Sequence, residues 1–253
     1  MNASPSTRGL GCRPDPEDAR DRELGQLLGV LASSPPPASA SVAHPLVVPR
    51  DQGPTQSCTG QAVAQAVRLA YLAQGVECPD LSALAPYWWG RSEWGGERVD
   101  DGSHLRTTIR AVQRFGCPSE EAWPFAAARV QRSPGWAATR DAYDRRGVRG
   151  YYRIVSGDVD GVRRAIAAGL PVVGGWRVDR PFTRSEGPLV IDAPQESTIG
   201  GHAVVLEDYE PDGTFGLLNS WGTSWRNGGR ARVTETFVSL GQDLWAIDVE
   251  ATS

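Results

Sequence analysis

An α+β fold with two lobes is predicted by three observations. Apolar periodicity is helical in the first half of the chain, strand-like runs crowd the second half, and the two patterns do not alternate. Interleaved βαβ units would mix helices and strands, whereas segregated blocks argue for helices packed beside an antiparallel sheet. The 253 residues suffice for one large domain or two small lobes. The blocks divide the chain into an N-terminal extension and linker (1–45), a helical lobe (46–150) and a strand-rich lobe (151–253), together forming one domain.

Taken in order, residues 1–33 are polar and charged, with one short helix predicted over 23–31. SSPPPASASV (33–42) reads as an extended linker. Residues 46–50 form a short apolar approach to DQGPTQSCTGQAVAQAV (51–67), around which the rest is organised. From Ser57 the pattern turns helical: Val63, Val67, Ala70 and Tyr71 share one face, Ser57 is the expected N-cap and Gly75 the stop. DLSALAPYWWGR fills core. A second helix is predicted over 103–115, with Leu105, Ile109 and Val112 inward and Gly116 ending it. The Arg-rich stretch 126–150 reads as a surface excursion.

In the second half a short helix opens at Asp158 and stops at Gly169. Strands follow over 171–178, 202–210, 214–220, 230–233 and 244–250, with Asp212-Gly213 closing a hairpin between two of them.

Composition narrows the function. The net charge of -4 offers no electrostatic case for nucleic acid. All 26 basic residues are Arg, which suits a GC-rich bacterial coding sequence. No apolar stretch approaches the ~20 residues of a membrane helix, and acidic residues precede the one short apolar patch near the N-terminus, unlike a secretion signal. The reading is a cytoplasmic monomer without nucleic-acid or membrane partners. Cys12, Cys58, Cys78 and Cys117 are too irregularly spaced for a zinc cage, so no metal or cofactor is expected. They read as three reduced, mostly buried thiols plus one that does chemistry, with a Cys78–Cys117 bridge as the alternative.

The chemistry centres on Cys58. A thiol is a nucleophile as thiolate, and a helix N-terminus and a neighbouring imidazole both favour that anion. Of His44, His104 and His202, the first two read as loop and helix-start residues. His202 opens an apolar strand after Gly200-Gly201, where the backbone can approach another lobe closely. Asn219 ends the hairpin's second strand and can stand beside His202, accepting from the imidazole N–H, with Trp221 covering that bond. Gln52, six positions before Cys58 across a Gly-Pro turn, can join the Cys58 backbone N–H in an oxyanion hole.

QGPTQSC, then GGHAVVLEDY, then NSWGTSW resemble the papain-like cysteine peptidases, and more closely the bacterial, disulfide-poor branch. GCRPDPEDARD, DLSALAPYW, DDGSHLRTTIRAVQRFGCPSEEAWPF and DLWAIDV are similar to segments of that branch, so the resemblance spans roughly residues 11–250. The Cys-His-Asn arrangement is a known variant of the hydrolase triad. The resemblance implies a helical left lobe, a β-barrel-like right lobe and an active site in the cleft between them. It implies Cys58 as nucleophile, His202 as base and acid, Asn219 as orienting residue and Gln52 as oxyanion donor. Gly102 matches the position where substrate main chain pairs with the enzyme; together with Ser103, Gly201 and Trp221 it completes the expected substrate-binding set. Three positions depart from the family pattern: Thr55 replaces a Cys, Thr59 an aromatic and Ser103 a second Gly. The 51 residues before Gln52 are fewer than the long inhibitory pro-segment of lysosomal relatives. The implied function is hydrolysis of peptide bonds through a thioester acyl-enzyme. A thiol amidase or acyl transferase, and an inactive binding module of the same fold, are the alternatives.

Overall fold

The computed structural model describes residues 8–29, 35–143 and 147–250. The elements run β1 (Cys12–Arg13), α1 (Leu24–Leu28), β2 (Ala40–Ser41), α2 (Cys58–Ala73), α3 (Leu84–Ser92), β3 (Ser103–His104), α4 (Leu105–Phe115) and α5 (Trp136–Tyr143). The second half contributes β4 (Val148–Ile154), α6 (Val159–Ala167), β5 (Val172–Val178), α7 (Arg180–Thr183), β6 (Val190–Ile191), β7 (Gly200–Tyr209), β8 (Phe215–Leu218), β9 (Arg230–Val233), α8 (Glu235–Ser239) and β10 (Gln242–Val249). Helices precede and a mostly antiparallel sheet follows, as segregated periodicities require.

That sheet has the order β4-β10-β5-β7-β8-β9-β6, with β2 paired to β7. Strand alternation explains how it is buried on both faces. On β7, Val204 and Leu206 join one apolar cluster with Trp176, Phe182, Trp221 and Trp225. Ala203 and Val205 point the other way, into a second cluster with Val63, Val67 and Ala70 of α2 and Ile109 of α4. Side chains of successive strand residues face opposite sides, so a strand packed on both faces reads as a continuous apolar run. The second cluster joins the lobes, setting the start of α2 against the start of β7.

Local signals held where the stop or cap is intrinsic to the backbone. Gly75 and Gly116 follow α2 and α4 with φ of 74° and 77°, the left-handed region open to glycine. The Asp158 carboxylate caps α6 by accepting from the Gly161 N–H at 2.8 Å. Four expectations change. Ser57 makes no side-chain cap; its hydroxyl pairs with Thr55 Oγ1 at 2.8 Å. The predicted helix over 103–115 begins at Leu105, because Ser103 and His104 are drawn into a strand with Cys12 and Arg13. The predicted helix over 23–31 is confined to Leu24–Leu28 within the described residues. The Arg-rich excursion folds in part: Ala138 and Ala142 of α5 are buried, while Trp136 is 75% exposed.

Two further segments pack differently from their sequence reading. At the end of the Pro/Ser/Ala stretch, Ala40 and Ser41 pair with Tyr209 and Asp208 as an added strand. Strand β4 crosses residue 150, where the texture change placed a boundary. None of the four cysteines is joined in a disulfide, so the Cys78–Cys117 bridge does not form.

Candidate active site

The start of α2 places Cys58 at the junction of the lobes. Its sulfur faces the backbone N–H groups of Ala203, Gly11 and Thr59, which favour the thiolate. Ala203 immediately follows His202, so the thiol lies beside the histidine's own strand segment. His202 is fully buried, and its Nε2 stands 2.7 Å from Asn219 Oδ1. That oxygen also accepts from the Ser220 N–H at 2.8 Å. With Nε2 engaged, the unpartnered Nδ1 is the ring atom left for chemistry. Trp221 stacks on the imidazole at 4.2 Å between centroids and 21° between planes, and Phe182 meets both rings edge-on. The hairpin does what its spacing predicted: it sets His202 and Asn219 side by side and covers their hydrogen bond with an indole.

Gln52 is carried by a turn stitched to the segment that follows Asn219 at the open end of the same hairpin. Its N–H donates to the Ser220 carbonyl at 2.9 Å, and Gly222 N–H returns a bond to Arg50 O at 2.7 Å. Ser220 Oγ donates to Gln52 Oε1 at 2.6 Å, which turns the amide so that Nε2 faces Gly9 O (3.2 Å) and Thr55 O (2.7 Å). Ser220 is a positioning residue that motif reading did not single out.

The larger omission is residues 8–15, which thread the cleft as a strap. Arg8 lies over the Trp221 ring at 5.2 Å. Gly9 N–H donates to Gly53 O at 3.1 Å, and Leu10 N–H to Gln56 Oε1 at 3.1 Å. Gly11 N–H reaches the Cys58 sulfur, while Gly11 O accepts from the Ser103 N–H at 2.8 Å. Cys12 and Arg13 then pair in parallel with Ser103 and His104. Asp15 anchors the far end, accepting from Arg106 N–H and from Trp245 Nε1 at 2.9 Å. Glycine is required at two points: a Cβ on Gly9 would lie 1.7 Å from Thr55 O, and one on Gly11 1.9 Å from Gln56 O. The visible trace in the sequence was GLGC, small residues alternating ahead of RPDPED, but nothing local says what they approach.

The four expected substrate-cleft residues all meet the strap. A Cβ on Gly102 would strike Gly11 O at 2.3 Å, and one on Gly201 would strike Cys12 O at 2.2 Å. The close approach expected at Gly200-Gly201 is thus made by the strap. Ser103 keeps its hydroxyl out of the cleft, accepting from Thr108 Oγ1 of α4 at 3.3 Å. His104 is half-buried, its Nδ1 2.8 Å from Pro14 O. Among the described residues no cluster of three or more His, Cys, Asp or Glu side chains is arranged to hold a metal ion.

Burial sets the protonation states. It pushes the Cys58 thiol up to about 11, against the opposing pull of the N–H donors. It pushes His202 down to about 4; the Asn219 bond opposes this, and the Arg8 charge reinforces it. With the strap in place, both partners are neutral.

No protein-family profile matches the sequence. An uncharacterised peptidase C1-like protein of Acanthamoeba polyphaga mimivirus is 29% identical over 213 residues, covering 78% of this chain and 68% of the relative. Among solved structures, xylellain, a cysteine protease of Xylella fastidiosa, superposes with a TM-score of 0.82 at 23% identity over 98% of both chains. Procathepsin L 3 of the Tenebrio molitor larval midgut gives 0.74 at 19% identity, over 96% of this chain and 77% of that one. A Carica candamarcensis cysteine protease gives 0.68 at 22%, over 84% and 98%. By sequence likeness this chain is similar to a peptidase C1-like protein, and its fold is that of the papain-like cysteine peptidases.

Proposed function

We propose that the chain is a cysteine peptidase that hydrolyses peptide bonds through Cys58, His202, Asn219 and Gln52. The observation that carries this reading is the His202 Nε2–Asn219 Oδ1 bond at 2.7 Å, which leaves Nδ1 free on the strand whose next N–H touches the Cys58 sulfur. In the open cleft, His202 takes the thiol proton through Nδ1 and Asn219 holds the imidazole in orientation. The thiolate attacks the substrate carbonyl. Gln52 Nε2 and the Cys58 N–H stabilise the oxyanion, His202 protonates the leaving amine, and water then hydrolyses the thioester. Peptide or protein is the substrate, and the chain acts as a monomer in the cytoplasm, where cysteines outside disulfides are at home.

The strap's direction follows from this chemistry. The leaving amine takes its proton from His202, so the substrate's C-terminal half lies toward Trp221 and its acyl half toward Gly102 and Ser103. The strap runs the opposite way, from Arg8 at Trp221 to Cys12 at Ser103. It fills the cleft without presenting a peptide bond in the reactive sense, and substrate must displace it.

The test is a peptide library offered to the full chain, to Cys58→Ala and to Gly11→Val, in which the strap is forced out. Cleavage by the parent or by Gly11→Val, lost with Cys58, is expected. Proteolysis surviving in Cys58→Ala defeats the assignment. Absence of turnover in both Cys58-containing proteins points to a binding module, and transfer products in place of hydrolysis to an acyl transferase.

A further inference from the structure

Cys12 has no part in the mechanism above, yet it travels in the strap, next to Gly11, whose N–H faces the Cys58 sulfur. The sheet register locates both sulfurs. Gly175 of β5 and Ala203 of β7 are ladder partners, the Ala203 N–H faces the Cys58 sulfur, and a Cβ built on Gly175 would lie 2.7 Å from the Cys12 sulfur. Antiparallel partners are about 4.5–5.5 Å apart, so the two thiols occupy adjacent places on one sheet. Both also pack into the same apolar cluster. Gly175 and Gly201 lack the side chains that would keep Cys12 away.

Taking Cys58 as the reactive nucleophile, as proposed above, we propose that Cys12 is its resolving thiol: peroxide converts the pair to a disulfide that fastens the strap over the active site, and a dithiol releases it. The steps balance. When the strap lifts, the Cys58 thiolate attacks a peroxide oxygen; an S–O bond forms, the O–O bond breaks, and the departing hydroxide leaves as water. The returning strap brings Cys12 to the sulfenic acid. An S–S bond forms, the S–O bond breaks, and the second oxygen leaves as water with the Cys12 proton. Two thiols lose two electrons and one hydrogen peroxide becomes two waters. An added dithiol attacks the bridge, restores both thiols and ends as its own disulfide. Burial holds both thiols protonated while the strap is closed, so oxidation starts from the lifted state and ends in the closed one. The bridge keeps Cys58 at a reversible rung of the oxidation ladder, short of sulfinic acid. Disulfide geometry requires sulfurs about 2.0 Å apart, reached by a rotamer change at Cys12 and a slide of a two-residue strand.

The experiment treats the full chain with hydrogen peroxide and maps its peptides without reduction by mass spectrometry. A Cys12–Cys58 cross-link, two hydrogens lighter than the thiols, is expected. Iodoacetamide labelling of Cys58 should be lost and then recovered with a dithiol. In Cys12→Ser, and in Cys12→Ala as a second variant, Cys58 should advance to sulfinic acid, with labelling recovery at least about five-fold poorer. Equal recovery in the variants, no cross-link, or bridging to Cys78 or Cys117 overturns the proposal. Cross-linking without turnover on any peptide sustains the latch and removes the peptidase reading. Turnover without cross-linking does the reverse.

Discussion

The two walls of the cleft are completed in different ways. On the strand wall, His202 is held by Asn219 and Trp221, Asn219 by Ser220, and Trp221 by Phe182 and Trp225, all from the same lobe. On the helix wall, the polar groups of Gln52, Gln56, Cys58 and Ser103 are satisfied by Gly9, Leu10 and Gly11. One wall is preorganised from within; the other carries its partners on loan from the N-terminus. The contrast teaches that catalytic geometry and access are separate properties here. The His202–Asn219 bond is already made, while under the proposed function Cys58 and Gln52 must exchange the strap for substrate.

The largest test of that contrast is Cys58→Ala. With Gly11→Val as the opened background, kcat on a cleavable peptide should fall by about 10⁴-fold or more, as removal of a nucleophile does in other hydrolases; a loss under tenfold would break the assignment. Gln52→Ala should split two readouts. Turnover should drop by roughly 10²–10³-fold through the missing oxyanion donor. Iodoacetamide labelling of Cys58 should instead quicken, because the strap loses its bond at Gly9. Both rates falling together would show that Gln52 does not hold the strap. Gly11→Val, measured alone, should raise the labelling rate by about tenfold or more, equivalent to about 1.4 kcal/mol of strap closure lost to the clash with Gln56 O.

Asp15 sharpens the comparison at the strap's anchored end. Burial, then the nearby Asp243, raises its carboxyl to about 7, with the N–H donors of Arg106 and Trp245 and the Arg106 charge opposing; Arg153 pairs with Asp243. The folded value lies above the ordinary 3.8, so between the two the folded chain holds a proton the unfolded chain has released. Stability from this group is therefore present at low pH and falls as pH climbs toward 7. Asp15→Asn removes the titration, so the unfolding free energy of the parent minus that of the variant, from denaturant melts, should decline from pH 4 to 7 by on the order of 1–3 kcal/mol. Taking the difference cancels His202, which titrates in both proteins. A flat difference would place the anchor's energy elsewhere. The smallest effect is expected at Ser103→Gly. Its hydroxyl bonds Thr108 within the helical lobe, so KM in the opened background should stay within about two-fold while stability drops by about 0.5–1 kcal/mol. A large KM change would return that side chain to the cleft.

Much of this architecture was legible before any coordinates. The helix starting at Cys58, the strand opening at His202 and the hairpin that returns Asn219 to it depend on periodicity and turn residues close together in the chain. So do the helix stops at Gly75 and Gly116, where only the local backbone conformation matters. Ser57 failed as a cap because its hydroxyl found Thr55 first, a competition that cap statistics do not contain. Ser103 and His104 left their predicted helix because a strand from far away offered hydrogen bonds there.

By itself, then, the sequence picked out Cys58, His202, Asn219 and Gln52 as the candidate residues and the helix start, strand and hairpin that carry them, since motif spacing and hydrophobic period are local quantities. Only the tertiary structure decided what fills the cleft. Leu10 bonds a side chain 46 positions away and Gly9 one 43 positions away. The glycines at 9, 11, 102, 175 and 201 have meaning only together, as clearances for one passing segment. Steric room between distant backbones leaves no periodic trace in a sequence, which is why the strap, and Cys12 beside the nucleophile, appear only when the chain is folded.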